Sequence, residues 1–205
     1  MRTTIKTLVL AGAISLALPS LANARKFENT IASPLTTSVK IEIVMSEEMQ
    51  HRANNLPTKL RDRDVSSSRG LNRSFSSNGF LGERDLDILA RDLEKKMTRK
   101  FTKKGIMVSE DAPVTLLVTL ENAKNNRPTP AQLRKDINLS FQSFAVGGAE
   151  MSADLIDADG QSLGTMSYKF YENDIFQNQQ FGGIWQDANR SFSRFAKNAA
   201  KTLAN

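Results

Sequence analysis

The side chains that most often perform catalysis are scarce in this 205-residue chain. It contains no cysteine and one histidine, His51, which lies in a polar segment. Thiolate catalysis and a zinc site with several histidines therefore cannot be built, and a Ser-His-Asp triad would have to use His51. We interpret His51 as a solvated loop residue, and we predict no catalytic residue, no cofactor and no metal site.

Carboxylates leave one class of enzyme open. A glycan hydrolase that acts on the cell wall needs two carboxyl groups at a defined distance in a cleft. Candidates for such a pair are Glu121, Glu150, Asp154 and Asp157. The competing classes are a binding or assembly protein, on whose surface these acids are scattered, and a carrier with an apolar cavity for a small molecule.

Two glycine-containing motifs suggest ligand chemistry but have simpler explanations. Residues 157–160 read Asp-Ala-Asp-Gly, but an EF-hand needs a third acid before the glycine and a glutamate where this chain has Met166. Asp-Gly instead predicts a hairpin turn, because glycine accepts a positive φ. The glycine pair at 147–148 lacks the sequence of a phosphate loop. It predicts a bend into a strand, or a point where another backbone or a ligand approaches closely.

The best surface candidate is a basic stripe on the last predicted helix. Arg190, Arg194, Lys197 and Lys201 recur at spacings of four, three and four, so a helix projects them from one side. A charged helix face is most often simply solvated. We nevertheless predict partner binding at these four residues, because folding does not require a row of cations without acids at the same angle.

Residues 1–24 have the features of a signal peptide. A positively charged start precedes an apolar run over residues 7–18, which is too short to cross a bilayer. A small-x-small sequence then ends at Ala24. We predict cleavage after Ala24 and export to the periplasm, and an uncleaved N-terminal anchor is the alternative.

Residues 25–205 are predicted to form a single mature domain. The absence of cysteine excludes disulfides and a lipid-bearing cysteine, so we predict that the protein is not a lipoprotein. No second apolar run is long enough for a membrane span. The net charge of +6 falls to +4 when Arg2 and Lys6 are removed with the predicted signal peptide. In an exported chain, this positive charge favours an anionic envelope component or another periplasmic protein as partner, and not nucleic acid. The sequence indicates no particular oligomeric state.

Hydrophobic periodicity predicts the elements that position these residues, in the order β-α-β-β-β-α. Alternation of apolar and polar residues predicts strands over residues 38–45 and 114–122 and a long hairpin over residues 144–173. Apolar residues at helical spacing predict amphipathic helices over residues 82–104 and 182–203. The strand-helix-strand order implies that the first two strands are parallel.

These elements predict an α+β fold with two layers. Each long helix has one apolar stripe, so both should cover one face of a mixed sheet of about four strands. A capping box at Thr129 and Gln132 predicts a short helix beginning at Pro130. Residues 25–37 are predicted to be a loosely ordered leader. Residues 46–80 are predicted to be a polar loop that is either mobile or functional, and we favour the mobile interpretation.

Motifs in the second half of the chain resemble a group of small exported proteobacterial proteins of unknown function. These motifs are Asn126-Arg127-Pro128-Thr129, Gly147-Gly148-Ala149, Asp157-Ala158-Asp159-Gly160, Trp185-Gln186-Asp187-Ala188 and Arg194-Phe195-Ala196. The resemblance covers residues 114–203 and implies no catalytic residue. The order of elements is also similar to small envelope domains of the curli secretion lipoprotein and the TolB N-terminal domain, which is a likeness of topology alone.

Three aromatic residues have two possible roles. Trp185, Tyr168 and Phe170 could line a pocket, but each lies on the apolar side of its predicted element. We therefore interpret them as core residues.

Overall fold

The computed structural model describes residues 26–59, 79–173 and 182–204. The predicted signal peptide and its cleavage site, and residues 60–78 of the predicted loop, lie outside the described residues. Within the described ranges, five strands form one sheet: β1 (Lys26–Asn29), β2 (Val39–Met45), β3 (Val114–Lys124), β4 (Gly148–Ile156) and β5 (Ser162–Tyr171). The helices described are α1 (Glu47–Asn54), α2 (Glu83–Lys103), α3 (Pro130–Lys135) and α4 (Gln186–Leu203).

The sheet is mixed and has the strand order β1-β5-β4-β3-β2. β2 and β3 are parallel, as the strand-helix-strand order predicted, and all other neighbours are antiparallel. α2 packs on β2, α4 packs on β4 and β5, and the two helices contact each other on the same face of the sheet. The predicted α+β class and its two layers are therefore confirmed, with one strand more than expected.

The core lies between this sheet face and the two long helices. Alternate residues of the strands point into it, since the side chains of a strand alternate between the two faces. The predicted helix stripes supply the other half. The fully buried members include Leu116, Val118, Leu120, Leu89, Leu93, Met97, Phe101, Phe192 and Phe195.

The central hairpin forms as predicted. Its turn is held by the Asp157 side chain, whose Oδ1 accepts hydrogen bonds from the backbone N–H groups of Asp159 (3.0 Å) and Gln161 (2.9 Å). Gly160 adopts a φ of 79°, which glycine takes without a steric cost. The motif at 157–160 is thus a turn, and the Asp157 carboxylate stabilises it by accepting hydrogen bonds from the backbone.

The short helix α3 also matches its prediction. Thr129 Oγ1 accepts from Gln132 N (3.2 Å), and Gln132 Oε1 accepts from Thr129 N (2.9 Å), which completes the capping box.

The leader prediction for residues 25–37 is wrong in its first part. Residues Lys26–Asn29 form β1, which pairs antiparallel with β5 so that Phe27 lies opposite Tyr168. The Phe27 ring also packs against Phe195 of α4, with ring centroids 6.4 Å apart. Four residues are too few to show a periodicity, and the strand forms because it pairs the outer edge of β5.

The loop prediction for residues 46–80 is also wrong in its first part. Residues Glu47–Asn54 form α1, which Ser46 caps by accepting from Met49 N (3.3 Å). Met49 and Arg52 of this helix are buried. His51 therefore lies on a helix and not in a loop; it is exposed, and its Nε2 contacts the Leu56 carbonyl at 3.1 Å.

None of the helices in the described ranges is long and apolar enough to cross a membrane.

Candidate functional site: a cleft at the starts of three helices

A cleft of about 850 Å³ opens where α2, α3 and α4 begin. Close packing brings two of these helix starts together at Gly82, where an added Cβ would lie 2.8 Å from Ala131 Cβ. Gly82 also has a φ of 111°, which residues with a side chain rarely adopt. Both the close contact and the backbone conformation therefore require glycine at this position. The residues whose chemistry matters in the cleft are Arg84, Asp85, Ile88, Arg134, Trp185 and Asn189.

The cleft contains a buried acid in contact with the only tryptophan. Asp85 is 5% exposed, and its Oδ1 accepts a hydrogen bond from Trp185 Nε1 at 3.2 Å. Burial raises the pKa of the Asp85 carboxyl, and the hydrogen bond from Trp185 offsets part of that rise. Asp85 and Trp185 join the first turn of α2 to the start of α4 and form one wall of the cleft.

The rim of the cleft carries two cations and one acid, and its inner surface is partly apolar. Arg84 and Arg134 are exposed and lie on α2 and α3, and the exposed acid Glu83 precedes Arg84 on α2. Ile88 and Trp185 supply apolar surface inside. Such a site suits a ligand or peptide with an apolar part and polar or anionic ends.

A buried polar knot behind the cleft fixes the start of α4. Its centre is Asp187, which is fully buried. Asp187 Oδ2 accepts from Asn126 Nδ2 (2.5 Å) and from Gly147 N (3.1 Å), and Asp187 N donates to Asn126 Oδ1 (2.9 Å). The end of β3, the approach to β4 and the first turn of α4 are thereby joined at one carboxylate.

A second group of buried polar side chains fixes the chain before α2. Thr129 Oγ1 donates to the Leu81 carbonyl (3.0 Å), and Gln132 Nε2 donates to the Phe80 carbonyl (2.7 Å). Asn125 Nδ2 donates to Gln132 Oε1 at 2.7 Å. These contacts set the position of α2 relative to α3 and hence the width of the cleft.

The two glycines at 147–148 approach other parts of the same chain. A Cβ on Gly147 would lie 2.6 Å from Asn126 Oδ1, and one on Gly148 would lie 2.2 Å from the Phe170 carbonyl oxygen. The close backbone approach suggested by the sequence is therefore internal. The motifs that contain Asn126, Gly147 and Asp187 meet in the knot, so their part in the structure is to position the cleft.

The acids proposed for a glycan hydrolase do not line the cleft. Glu121 Oε1 accepts from Ser152 Oγ (2.6 Å), and Glu150 forms an ion pair with Lys169 (2.8 Å), on the sheet face opposite the helices. Asp154 accepts from Ser162 on the same hairpin, and Asp157 holds the turn. Within the described ranges, no three His, Asp or Glu side chains are grouped so that they could hold a metal ion.

The basic stripe divides into two halves. Arg190 forms ion pairs with Glu172 (3.0 Å) and Asp187 (3.5 Å), and the Arg194 guanidinium packs over the Phe170 ring at 4.6 Å. Lys197 and Lys201 are exposed. The expectation of four outward cations without neighbouring acids is therefore wrong for Arg190, because Glu172 and Asp187 come from outside the stripe.

This division predicts different responses to charge reversal along α4. Lys197→Glu with Lys201→Glu should leave the free energy of unfolding within about 0.5 kcal/mol of the wild type, since both side chains are exposed. Arg190→Glu should cost more than about 1 kcal/mol, because it places an acid against buried Glu172 and Asp187. Urea denaturation measures both; equal effects at the two ends would contradict the division.

The aromatic trio does not form one pocket. Tyr168 and Phe170 belong to the core between sheet and helices, as predicted. Trp185 is 5% exposed and joins the core with one side, while it also lines the cleft.

The raised pKa of Asp85 predicts a pH-dependent effect of Asp85→Asn. The native state binds this proton more tightly than the unfolded chain does, so ionisation of Asp85 lowers stability as the pH rises from about 4. Asparagine stays neutral and can still accept from Trp185. The stability of the variant relative to the wild type should therefore increase as the pH rises from about 4, as measured by urea denaturation at each pH.

Asp87→Asn is the matched control for this experiment. Asp87 is exposed on the same turn of α2, so its replacement removes the same charge without changing a buried site. A stability difference between Asp85→Asn and the wild type that is the same at every pH would contradict the assignment.

Sequence reasoning missed the cleft itself. Asp85 had a detectable signature, since it lies four residues before Leu89 and continues the apolar stripe of α2 as an acid. Arg84 and Arg134 had no such signature in the sequence, because cations near helix ends are common and about fifty residues separate the two along the chain.

Comparison with known proteins gives the chain no family. No protein-family model and no curated protein matches it. Among solved structures, the PelC dodecamer from Paraburkholderia phytofirmans aligns with a TM-score of 0.44 at 8% identity, covering 88% of this chain and 98% of that one. A minor lipoprotein from Acinetobacter baumannii aligns with a TM-score of 0.31 at 10% identity, covering 80% and 91%. Likeness at this level establishes neither a shared function nor a shared assembly.

Proposed function

We propose that this chain is an exported, periplasmic binding or envelope-assembly accessory protein that performs no catalysis, and that the cleft is where it holds its ligand or partner. The observation that carries the proposal is the composition of the cleft. It combines one buried acid that is hydrogen-bonded to Trp185, an apolar interior and a rim with two arginines and Glu83. Glu83 is exposed, and its Oε1 accepts a hydrogen bond from Asn54 Nδ2 at 2.8 Å. Apolar surface with a few polar groups around it is typical of a binding site.

Two features of the sequence support the envelope location. Residues 1–24 have the pattern of a signal peptide, and the motifs in the second half resemble those of small exported proteins. The absence of cysteine favours a protein without a lipid anchor.

The proposal is tested by site-specific photo-crosslinking in cells that express and export the full chain, followed by mass spectrometry of the products. A photoreactive amino acid at Arg84 stands on the cleft rim, and one at Lys169 stands on the opposite sheet face. Products that form from position 84 and not from position 169 are expected. Products from position 169 alone, or hydrolysis of cell-wall glycan by the purified protein, would overturn the proposal.

The exposed end of the basic stripe is a second candidate surface. Lys197 and Lys201 are free of the contacts that hold Arg190 and Arg194, so they could dock an anionic envelope polymer. Charge reversal at both lysines should then weaken sedimentation with cell-wall sacculi, and more so at low salt, since exposed charges are screened over about 10 Å at 0.1 M ionic strength. Unchanged sedimentation would leave these lysines as a solvated face.

A further inference from the structure

Two large apolar side chains are displayed on the loop between α3 and β4. In this loop, residues 136–143, Ile137 is 97% exposed and Phe141 is 82% exposed. Exposed apolar residues are common singly, but two almost fully exposed ones in a single short loop are not explained by folding. We call this segment the double-turn loop.

The double-turn loop is ordered by its own hydrogen bonds. Leu139 N donates to the Asp136 carbonyl (3.2 Å), and Ser143 N donates to the Ser140 carbonyl (3.0 Å), which closes two consecutive turns. Ile137 and Phe141 each occupy the second position of a turn, four residues apart. The exposure of these two side chains is thus imposed by a defined backbone.

Cations surround the double-turn loop on the same part of the chain. Arg134 and Lys135 directly precede it and are exposed, and the Lys135 ammonium lies over the Phe80 ring, 3.7 Å from its centroid. Arg127 Nη1 donates to the loop carbonyl of Gln142 at 3.1 Å. The acid in this segment, Asp136, is used inside the loop, where its Oδ1 accepts from the backbone and side chain of Asn138.

We propose that the double-turn loop inserts Ile137 and Phe141 into the surface of an anionic lipid bilayer, with Arg127, Arg134 and Lys135 against the headgroups. Side chains that protrude from the apices of separate turns suit a fluid apolar layer, whereas a folded partner would need a continuous face. The cations complement anionic headgroups. The proposal depends on the envelope location proposed above only for access to a membrane.

This orientation also places the cleft beside the bilayer. Arg134 lies on the cleft rim and is two residues from the start of the double-turn loop. A protein bound through the loop would therefore hold the mouth of the cleft near the membrane surface.

Vesicle co-sedimentation tests the proposal directly. The full chain is mixed with vesicles of equal parts phosphatidylcholine and phosphatidylglycerol, and with vesicles of phosphatidylcholine alone. The wild type should bind the anionic vesicles more tightly. Ile137→Ser and Phe141→Ser should each reduce that binding about tenfold, and Arg134→Gln and Lys135→Gln about fivefold each.

Met107→Ser is the matched control. Met107 is 71% exposed and follows the C-terminal end of α2, whereas the cleft and α3 lie at its other end. All variants share the same N-terminal segment, so any contribution of that segment cancels. Binding that the loop variants leave unchanged, or that Met107→Ser reduces equally, would overturn the proposal.

The two proposals fail separately. Crosslinking from Arg84 to a partner, with no wild-type binding to either vesicle, would retain the cleft function and overturn the lipid assignment. A protein crosslinked through position 141 in cells, in the absence of vesicle binding, would assign the double-turn loop to a protein partner and would likewise overturn it.

Discussion

Replacing Asp187 by alanine is expected to lower the free energy of unfolding by about 3–5 kcal/mol. Asp187 is fully buried and accepts from Asn126 Nδ2 and Gly147 N, and it forms an ion pair with Arg190. Alanine would leave Asn126 Nδ2 and Gly147 N without this acceptor in a buried place, and each buried group left unsatisfied costs about 1–3 kcal/mol. Urea denaturation of the purified variant measures the loss.

Two further variants test whether the loss of stability comes from the Asp187 carboxylate itself or would follow from removing any acid. Asp187→Asn keeps the shape and one acceptor oxygen, so it should lose less stability than alanine. Asp159→Ala removes an exposed acid from the hairpin turn and should stay within about 0.5 kcal/mol of the wild type. A loss below about 1 kcal/mol for Asp187→Ala would show that the polar knot does not hold the start of α4.

Replacing Arg52 by alanine is expected to cost about 3 kcal/mol or more. Arg52 is 2% exposed, and its guanidinium donates to the Gly79 carbonyl (2.7 Å), Asn122 Oδ1 (2.5 Å) and the Ala123 carbonyl (3.2 Å). It therefore connects α1 to β3 and to the chain that enters α2. Loss of the side chain removes this donor from the buried Gly79 and Ala123 carbonyls and from the partly buried Asn122 side chain, and urea denaturation should detect the lower stability.

The neighbouring residue and a conservative change provide the controls. His51→Ala alters an exposed residue of the same helix and should have little effect. Arg52→Lys keeps the charge but has one ammonium in place of the planar fork, so most of the loss should remain. If Arg52→Ala behaved like His51→Ala, the buried guanidinium would not be what joins α1 to the sheet.

Elements set by local patterns were predictable from the sequence. The apolar stripe of α2 recurs at Leu89, Leu93 and Met97, and all three are buried. The turn at 157–160 and the capping box at Thr129 depend on residues within four positions of each other. Such patterns determine local structure because each element must bury one face wherever its neighbours lie.

Elements that depend on distant partners were not predictable. β1 is stabilised by pairing with β5, from which it is separated by more than a hundred residues. α1 contains a buried arginine that the sequence presents as polar, and its acceptors at Gly79, Asn122 and Ala123 become apparent only in the fold.

The cleft also depends on residues that are distant from one another in the sequence. Its residues come from the starts of α2, α3 and α4, which the chain brings together from positions about fifty residues apart. For the basic stripe, the sequence predicted a site that the fold partly closes. Helical spacing placed Arg190 correctly on α4 but gave no indication of Glu172 beside it. Spacing along one element specifies a face, and neighbouring elements determine whether that face is free.

Blocking the cleft tests the central claim that this site holds the partner. Gly183 lines the cleft, and an added Cβ there meets nothing within 4 Å, so a side chain at this position starts in open space at the cleft. The measurement is the yield of crosslinked product from the photoreactive residue at Arg84, in cells, for the unmodified chain, Gly183→Ala and Gly183→Phe. We expect Gly183→Ala to retain the product and Gly183→Phe to lose it. Equal yields from all three proteins would show that the cleft does not hold the partner.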